Sequence, residues 1–507
     1  MQTLSLKKYL QKYIMSIPSQ KLSVIEKIGY SLGDLAANLI FQTLMTFLAF
    51  FYTDVYKIPA GTASIIILIG GVFGAFFNII MGLIADRTNT RWGKFRPWIL
   101  WTSVPFGVIA LLAFSTPDFG ATGKIAYALI TYFLLVIIYS ANNLPYSALS
   151  GVITGDMKQR NSLSSYRFVA VMIAQFIIQS LLLPLVLILG NGDKAAGFKN
   201  TMTVFAIIGV VFFIITFLTT KERIVPEKDQ RSSVKQDLTD LSKNKPWIIV
   251  LFLTILVFIT LALKGGMYIF YFKYYLSENQ LASFLENIGF NRFILGLNSL
   301  LTTIGLTEFQ WPKDAPTSAF SLFNAGGIIF MIVGIMFSKP LADRFGKRDI
   351  FRIFLFLSAL CLLMFNFYSQ TAISMVFITQ IFHGFFYGVT IPLLWAMIAD
   401  VADYSEWKNN RRATAIIFSA MIFGLKIGLS VGGAIGAALL AKYGYVAEAT
   451  QQTDGTIFGI RMSVSIYPGL VFIAGAALLF WYKIDKKMEL TIESSLKEKR
   501  EKTNNPQ

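Results

Sequence analysis

Long apolar stretches alternate with short polar segments along almost the whole chain of 507 residues. A helix needs roughly 20 apolar residues to cross about 30 Å of hydrocarbon, and twelve of the stretches reach that length. The pattern therefore predicts an all-α membrane protein with twelve transmembrane helices. The predicted spans lie near 27–55, 61–85, 97–116, 122–150, 163–189, 199–220, 246–275, 318–339, 350–369, 371–400, 412–441 and 461–483.

A short basic turn occurs twice, once in each half of the chain, and each copy lies between two apolar stretches. The first copy falls within 82–98 and the second within 341–348. A repeat at half the chain length indicates duplication. We therefore predict two pseudo-symmetric six-helix bundles, arranged as in the major facilitator fold, whose halves are parallel repeats.

The polar segments divide the chain into five parts. Apolar residues at helical spacing within a long outer connection predict one or two short helices there. We interpret these helices as a structural cap, with a functional lid as the alternative. The parts are an amphipathic cytoplasmic N-terminal segment (1–26), an N-terminal bundle (27–220), a cytoplasmic linker (221–245), a C-terminal bundle (246–483) with an outer insertion (276–317), and a cytoplasmic tail (484–507).

Composition supports the membrane assignment and limits the possible partners. The chain is 55% hydrophobic and 14% charged, with a net charge of +17, whereas soluble chains carry roughly 25% charged residues. About three quarters of the 45 lysine and arginine residues fall in segments predicted on one face, which is the positive-inside pattern. This distribution favours anionic membrane lipid, and not nucleic acid, as the partner of the basic segments.

The chain contains one cysteine, Cys361, and one histidine, His383. No internal disulfide, thiolate cluster or histidine-based metal site can be built from them. The spans also contain no nucleophile–base pair, so we expect neither an enzyme nor a metal or other cofactor. His383 lies in an aromatic-rich span, and we interpret it as a packing residue and not as a proton relay.

Several long motifs occur in order along the chain and together carry a family resemblance. They are Tyr52-Thr53-Asp54-Val55, the segment 86–98, Asn143-Leu144-Pro145-Tyr146 and the segment 399–408. These motifs resemble those of the glycoside-pentoside-hexuronide:cation symporters, over nearly all twelve spans. The resemblance implies uptake of a sugar, glycoside or hexuronide with a proton or sodium ion, by alternating access. We expect a monomer in the bacterial inner membrane with both termini cytoplasmic; an uncoupled uniporter and a lysolipid carrier are the alternatives.

Ionisable residues within the spans mark the predicted binding site, because a charge at bilayer depth is costly unless it faces a wet cavity or a partner. Asp34, Lys264 and Lys426 are expected to converge on one cavity, whose net positive charge would suit a carboxylated sugar. By resemblance, Asp34 matches the carboxylate that binds sugar hydroxyls and Lys426 matches a lysine of the eleventh span. The predicted substrate-binding residues are Asp34, Tyr139, Asn143, Arg167, Lys264, Trp395 and Lys426.

The resemblance does not decide which ion is coupled to transport. The two second-span carboxylates that bind sodium in the family fall on Gly74 and Asn78 in this chain. Because sodium prefers charged or carbonyl oxygens, the usual sodium site is in doubt. The candidates for a cation site are Asn78, Ser140 and Asp34. Either Asp34 carries a proton or the carrier is uncoupled.

The repeated basic turns also predict a gate. Opposite charges at the cytoplasmic helix ends can pair across the two halves when that side is closed and separate when it opens. A solvated positive loop is the alternative for each individual residue. The predicted gate comprises Asp86, Arg87, Arg91, Lys94, Asp156, Asp343, Arg344, Asp400, Asp403 and Arg411.

Overall fold

The computed structural model describes residues 22–154, 157–223, 243–303, 314–409 and 414–504. Most of the predicted N-terminal segment, residues 1–21, therefore lies outside the described residues. Within the described ranges, twelve helical spans are long and apolar enough to cross a membrane, so the predicted all-α membrane fold is confirmed.

The first six spans form the N-terminal half. They are α1 (Val24–Phe50, continued by a π-turn Phe51–Val55), α2 (Ala60–Arg87), α3 (Arg96–Ala113), α4 (Ala121–Ile153), α5 (Met157–Phe176, a π-turn Ile177–Leu181 and Leu182–Leu189) and α6 (Lys194–Thr219).

The other six spans form the C-terminal half. They are α7 (Lys245–Phe270, continued by a π-turn Tyr271–Tyr275), α8 (Ala315–Phe345), α9 (Lys347–Met364, with a 3₁₀ turn Phe365–Phe367), α10 (Ile373–Asn409), α11 (Thr414–Lys442) and α12 (Asp454–Val464 and Ile466–Leu478). Three further helices lie outside the spans: the first outer helix (Glu278–Asn287), the second outer helix (Phe290–Thr303) and the tail helix (Lys486–Asn504).

The helix packing repeats between the halves. In the N-terminal half α1 packs on α5 and α6, α2 on α4, and α3 on α4 and α6; in the C-terminal half α7 packs on α11 and α12, α8 on α10, and α9 on α10 and α12. The two patterns correspond helix by helix, as a duplicated bundle requires. The halves meet where α2 packs on α11, α5 on α8 and α1 on α7.

Several helices extend past the ends that hydropathy predicts. We call the end of the molecule that carries Arg87, Phe345 and Asn409 the inner end, and the opposite end, with the two outer helices, the outer end. At the inner end α2, α8 and α10 continue into charged residues, to Arg87, Phe345 and Asn409. Hydropathy detects only the part of a helix within the hydrocarbon, so it underestimates helices that project beyond the bilayer.

The first copy of the basic turn organises the inner end of the N-terminal half. Gly93 has φ +111 and its missing Cβ leaves room for the Glu222 carboxylate. That carboxylate accepts hydrogen bonds from the backbone N–H groups of Lys94, Phe95 and Arg96, at 2.7–2.9 Å. An anionic side chain at a helix N-terminus satisfies its free N–H groups and opposes its dipole. The turn therefore anchors α3 to the segment that follows α6.

The outer insertion contains the two short helices that its apolar spacing predicts. The first outer helix buries Leu281 and Leu285, and the Phe284 ring lies 4.6 Å from that of Phe377 on α10. This helix packs on α8 and α10. It therefore covers the outer end of the C-terminal half, as a structural cap would.

Candidate functional site

A cavity of about 110 Å³ lies between the two halves, near the middle of the spans. It is bordered by α1, α2 and α4 from the N-terminal half and by α7 and α11 from the C-terminal half. Most of the lining is apolar, with few polar side chains at one side. We call it the central cavity, and its principal lining residues are Phe41, Gly71, Tyr139, Ser140, Lys426 and Ser430.

Lys426 supplies the positive charge of the central cavity. Its Nζ lies 5.5 Å from the centroid of the Tyr139 ring, so the ring face lies within cation–π range of the ammonium. The Ser140 hydroxyl is buried beside them, and no described residue is a hydrogen-bond partner to it. An ammonium, an aromatic face and an unused hydroxyl can together contact a polar, hydroxylated ligand.

Asp34 and Arg167 form an ion pair between α1 and α5. Arg167 Nε donates to the Asp34 carboxylate, which is 3% exposed and also accepts from Asn38 Nδ2 at 3.1 Å. The Arg167 guanidinium lies 5.5 Å from the centroid of the Tyr146 ring, and that ring stacks on Tyr30 with 4.6 Å between centroids. The pair compensates the buried carboxylate and fixes the position of the guanidinium.

The ion pair lies nearer the inner end than the central cavity does. Asp34 precedes Phe41, which lines the cavity, by about 10 Å along the α1 axis. Tyr139 lies within electrostatic range of both Asp34 and Arg167. The structure thus brings Tyr139, Ser140 and Lys426 together at the central cavity, with the Asp34–Arg167 pair about two turns of α1 closer to the inner end.

Lys264 does not share this region, contrary to the expectation that Asp34, Lys264 and Lys426 converge on one cavity. On α7 the residues Leu263, Gly266 and Met267 line the central cavity. Successive residues of a helix point about 100° apart, so Lys264 is directed into the C-terminal half instead. There its Nζ lies 2.7 Å from Nε2 of His383.

His383 is consequently a polar partner and not only a packing residue. Its Nδ1 lies 3.2 Å from the carbonyl oxygen of Ser358 on α9. Because a carbonyl oxygen can only accept, Nδ1 carries the proton and Nε2 accepts from Lys264. The rings of Tyr268 and Tyr387 face the ammonium at 5.6 and 5.9 Å. Lys264 is thereby held inside the C-terminal half by α9 and α10.

Three other predicted residues lie away from the lining of the central cavity. Asn143 is half-buried on α4, and Trp395 is 40% exposed on α10. Asn78 donates from Nδ2 to the carbonyl oxygen of Gly74 at 2.8 Å. This places the Asn78 amide on its own helix backbone, while Gly74 lines the cavity.

A polar network joins the two halves at the outer end. The carboxylate of Asp54, at the end of α1, is buried and accepts from Lys273 Nζ at 3.0 Å and from Tyr445 Oη at 2.7 Å. The Thr53 hydroxyl donates to its other oxygen at 2.8 Å. Lys273 ends α7 and Tyr445 follows α11. Tyr274 Oη also donates to the Asp54 carboxylate, at 3.5 Å, so one buried carboxylate of the N-terminal half is held by three residues of the C-terminal half.

Glu448 adds a second connection between the halves at the same end. Its Oε1 accepts from Lys273 Nζ at 2.8 Å and from Lys194 Nζ, on α6, at 3.1 Å. Partial burial would raise the pKa of Glu448, but hydrogen bonds and attraction from the two lysines outweigh it and lower the pKa to about 2. Glu448 is thus ionised at neutral pH. We call the set the outer closure: Asp54, Lys194, Lys273, Tyr445 and Glu448.

Two six-helix halves with a central cavity between them are also the plan of known transporters, and the sequence is similar to several of them. The family described as MFS/sugar transport protein matches residues 29–303 and 315–486. The inner membrane symporter YicJ of Escherichia coli (strain K12) is 37% identical over 462 residues, covering 91% of this chain and 92% of that protein. This chain belongs to the glycoside-pentoside-hexuronide:cation symporter family of the major facilitator superfamily.

Other similarities agree with this membership. The isoprimeverose transporter of Lactiplantibacillus pentosus is 30% identical over 465 residues, covering 91% of this chain and 89% of that protein. Among solved structures, a bacterial homologue of the human drug peptide transporters has a TM-score of 0.58 at 11% identity, covering 90% of this chain and 97% of that one. At that identity the similarity shows the major facilitator fold alone.

The predicted gate of this symporter-family chain is described only in part. Lys347 Nζ lies 2.6 Å from Asp400 Oδ1 and 2.8 Å from Glu489 Oε1, which ties α9 to α10 and the tail helix. Lys486 donates to the carbonyl oxygens of Asp343 and Arg344. These contacts lie within one half. Arg87 and Arg91 are exposed, and Lys94 and Asp403 are half-buried. The described residues do not include Asp156, Arg411 or the side chain of Asp86. A clasp between the halves therefore stays a prediction.

Sequence reasoning used Asp54 only as part of a family motif and missed the outer closure. A signal was present in the duplication itself. Asp54 and Lys273 lie in the corresponding π-turns that end α1 and α7, one position apart in register, and carry opposite charges. Opposite charges at equivalent ends of two repeats predict a bridge when those ends meet.

Proposed function

We propose that this chain is a secondary active transporter that takes up a sugar or glycoside together with a cation. The observation that carries the proposal is the central cavity between two six-helix halves, with a hydroxyl, an aromatic face and an ammonium at its border. Ligand sites in such folds lie near the bilayer midplane, at the interface of the repeats. The similarity to YicJ, a symporter, supports coupling to a cation, and the similarity to the isoprimeverose transporter supports a sugar substrate.

The outer closure supports an alternating-access mechanism. Its bonds join α1 and α6 to α7 and to the loop after α11, so the outer ends of the halves are held together. Opening this end requires those bonds to break while the halves rotate about the central cavity. We propose that the inner end faces the cytoplasm of a bacterial inner membrane, with both termini on that side, that membrane lipid surrounds the spans, and that one chain is the working unit.

The coupling ion in this proposal is the proton, with Asp34 as its carrier. Among the described residues that line the central cavity, Lys426 carries the charge and no carboxylate is present, which disfavours a hard cation such as sodium. Asp34 is compensated by Arg167. A ligand that draws the guanidinium away leaves a buried carboxylate without its counter-charge, and a proton is the small cation that can then balance it.

Uptake by purified protein in proteoliposomes tests the proposal. Neutral methyl glycosides and methyl uronides are supplied outside, with either an acid-outside pH gradient or an inward sodium gradient. We expect accumulation that follows the pH gradient. Asp34→Asn should abolish accumulation, while Glu286→Gln, at an exposed carboxylate of the first outer helix, should not.

Accumulation driven by sodium would reject the proton, and equilibration unaffected by either gradient would make the chain a uniporter. If no sugar enters the proteoliposomes and the purified protein binds lysolipids instead, the chain is not a sugar carrier.

A further inference from the structure

A second cavity, of about 330 Å³, opens at the outer end between the two halves. Its walls are the outer ends of α1, α5 and α6, the outer ends of α7 and α8, the start of the first outer helix, and the loop after α11. We call it the outer cavity; its lining includes Phe50, Phe198, Phe272, Tyr274, Lys194 and Lys273.

The outer cavity has the surface chemistry of a carbohydrate site. Aromatic side chains from both halves form its apolar wall, in which Phe50, Phe198 and Phe272 are buried. Thr317 and Thr450 offer hydroxyl groups at its border. Lys194 and Lys273 add positive charge, and the Glu278 and Asp314 carboxylates can accept hydrogen bonds from ring hydroxyls. A hydroxylated ring that bears a negative group matches this combination.

The lysines already hold a carboxylate. A single oxygen of Glu448 lies 2.8 Å from Lys273 Nζ and 3.1 Å from Lys194 Nζ. Glu448 lies in a loop and has φ 57, a left-handed conformation that residues with a side chain rarely adopt. The Glu448 side chain thus occupies an anion site from a strained backbone. A ligand carboxylate can take the same position.

Lys273 connects the outer cavity to the outer closure. The same Nζ that lines the cavity lies 3.0 Å from Asp54 and 2.8 Å from Glu448. Tyr445, which donates to Asp54, belongs to the same loop as Glu448. Two contacts of the outer closure, those of Tyr445 and Glu448, are therefore carried by one loop.

We propose that the outer cavity binds a carboxylated sugar whose carboxylate replaces that of Glu448 on Lys194 and Lys273, and that this exchange loosens the outer closure. The ligand thereby opens the end through which it enters. This inference rests on the proposed sugar transport and adds a second binding site to it. The exchange leaves the charge around the lysines unchanged, because one carboxylate replaces another.

Binding to purified protein with a disabled central cavity tests the site. Lys426→Gln removes the charge of the central cavity, and its melting temperature is measured with methyl β-D-glucuronide or with methyl β-D-glucoside, which lacks the carboxylate. We expect the glucuronide to raise the melting temperature of this variant and the glucoside to leave it unchanged. Adding Lys194→Gln should raise the half-saturating glucuronide concentration about tenfold or more, as expected for one lost charge-assisted hydrogen bond.

Two further variants separate recognition from general damage. Lys194→Arg keeps the positive charge and should retain most of the glucuronide effect. Lys199→Gln changes an exposed lysine on the same helix that does not line the outer cavity, and should have no effect. The proposal is overturned if Lys426→Gln alone removes the glucuronide effect, if Lys194→Gln leaves it intact, or if the glucoside stabilises equally.

Labelling from the outside tests the loosening. Met45→Cys places a thiol in the lining of the central cavity, in a Cys361→Ala, Lys426→Gln background and in right-side-out vesicles. We expect glucuronide to speed its reaction with a membrane-impermeant maleimide severalfold, and the glucoside to leave the rate unchanged. An unchanged rate with glucuronide would overturn the loosening.

The two proposals fail separately. If wild-type protein accumulates sugars but glucuronide leaves the Lys426→Gln variant unchanged, the outer site is rejected and the transport function stands. If glucuronide binds at the outer cavity and no sugar crosses the membrane, the transport function is rejected and the site stands.

Discussion

The charged residues inside the spans have partners of different kinds. Asp34 is paired with a guanidinium, Lys426 faces an aromatic ring, and Lys264 contacts the imidazole of His383. A neutral imidazole accepts a hydrogen bond but does not cancel the charge. Removal of the His383 imidazole should therefore lower the stability of the protein, because it leaves the Lys264 ammonium buried without a hydrogen-bond acceptor.

His383→Leu should destabilise the protein, because it leaves the Lys264 ammonium buried without its acceptor. An unsatisfied buried group costs about 1–3 kcal/mol, and more when it is charged. His383→Gln places a carbonyl oxygen near the same position and should retain more of the stability. The melting temperature of the purified protein measures both effects.

A double variant controls for the loss of imidazole packing. Lys264→Met with His383→Leu removes both polar groups and should recover part of the stability lost in His383→Leu alone. A melting temperature of His383→Leu equal to that of the wild type would contradict the buried hydrogen bond.

Residue types within the spans could be predicted, but their partners could not. Asp34, Arg167 and Lys426 were identified because an ionisable group in an apolar stretch needs a partner or water. His383 lies 119 positions from Lys264, and no local pattern links them. Whether Lys264 faces the central cavity or α10 depends on the rotation of α7, which is set by packing against α11 and α12.

At the scale of the helix, all twelve spans were predictable and their interruptions were not. Hydropathy locates apolar length. It does not detect the π-turns Phe51–Val55 and Tyr271–Tyr275, because a change from i→i+4 to i→i+5 hydrogen bonds leaves composition unchanged. These turns carry Asp54 and Lys273. The outer closure therefore depends on backbone features that the sequence pattern does not show.

Close packing of α11 on α7 uses the glycines that the sequence places on one face of α11. A Cβ at Gly432 would overlap the carbonyl oxygen of Ile259. Gly432→Ala should therefore lower stability by about 1–3 kcal/mol, the usual cost of overpacking. The melting temperature of the purified protein measures the loss.

Gly265→Ala on α7 is the matched control. A Cβ there has no neighbour within 4 Å, and alanine favours the helix over glycine, so stability should stay the same or rise slightly. If both substitutions lower the melting temperature equally, the close approach of α7 to Gly432 does not explain the loss of stability.

At the scale of the molecule, the contact between α2 and α11 joins the halves beside the central cavity. The Ser64 hydroxyl on α2 donates to the carbonyl oxygen of Ala434 on α11 at 2.8 Å. Gly71 approaches Ser430 so closely that a Cβ at Gly71 would overlap both Cβ and Oγ of Ser430. Duplication predicted two bundles, but how closely their helices approach depends on which end is closed, and sequence alone does not specify that state.

Gly71→Ala should therefore separate α2 from α11 and favour the state in which the outer end is open. Ser430 cannot avoid the overlap by rotating its hydroxyl, since its Cβ is also too close. We expect lower sugar uptake and faster labelling of a cysteine at Met45 by an impermeant maleimide from the outside, in a Cys361→Ala background.

Ser430→Gly supplies the matching rescue, because it removes both atoms that the new methyl group meets. The double variant Gly71→Ala, Ser430→Gly should bring labelling and uptake back toward the values of the Cys361→Ala parent. Rescue by Ser430→Gly would show that steric contact between the halves sets the closed state, and not a local change within α2. If Gly71→Ala labels at the parental rate, or if Ser430→Gly fails to reverse its effect, then the α2–α11 contact does not control closure, and the bonds of Asp54 and Glu448 alone must hold the outer end.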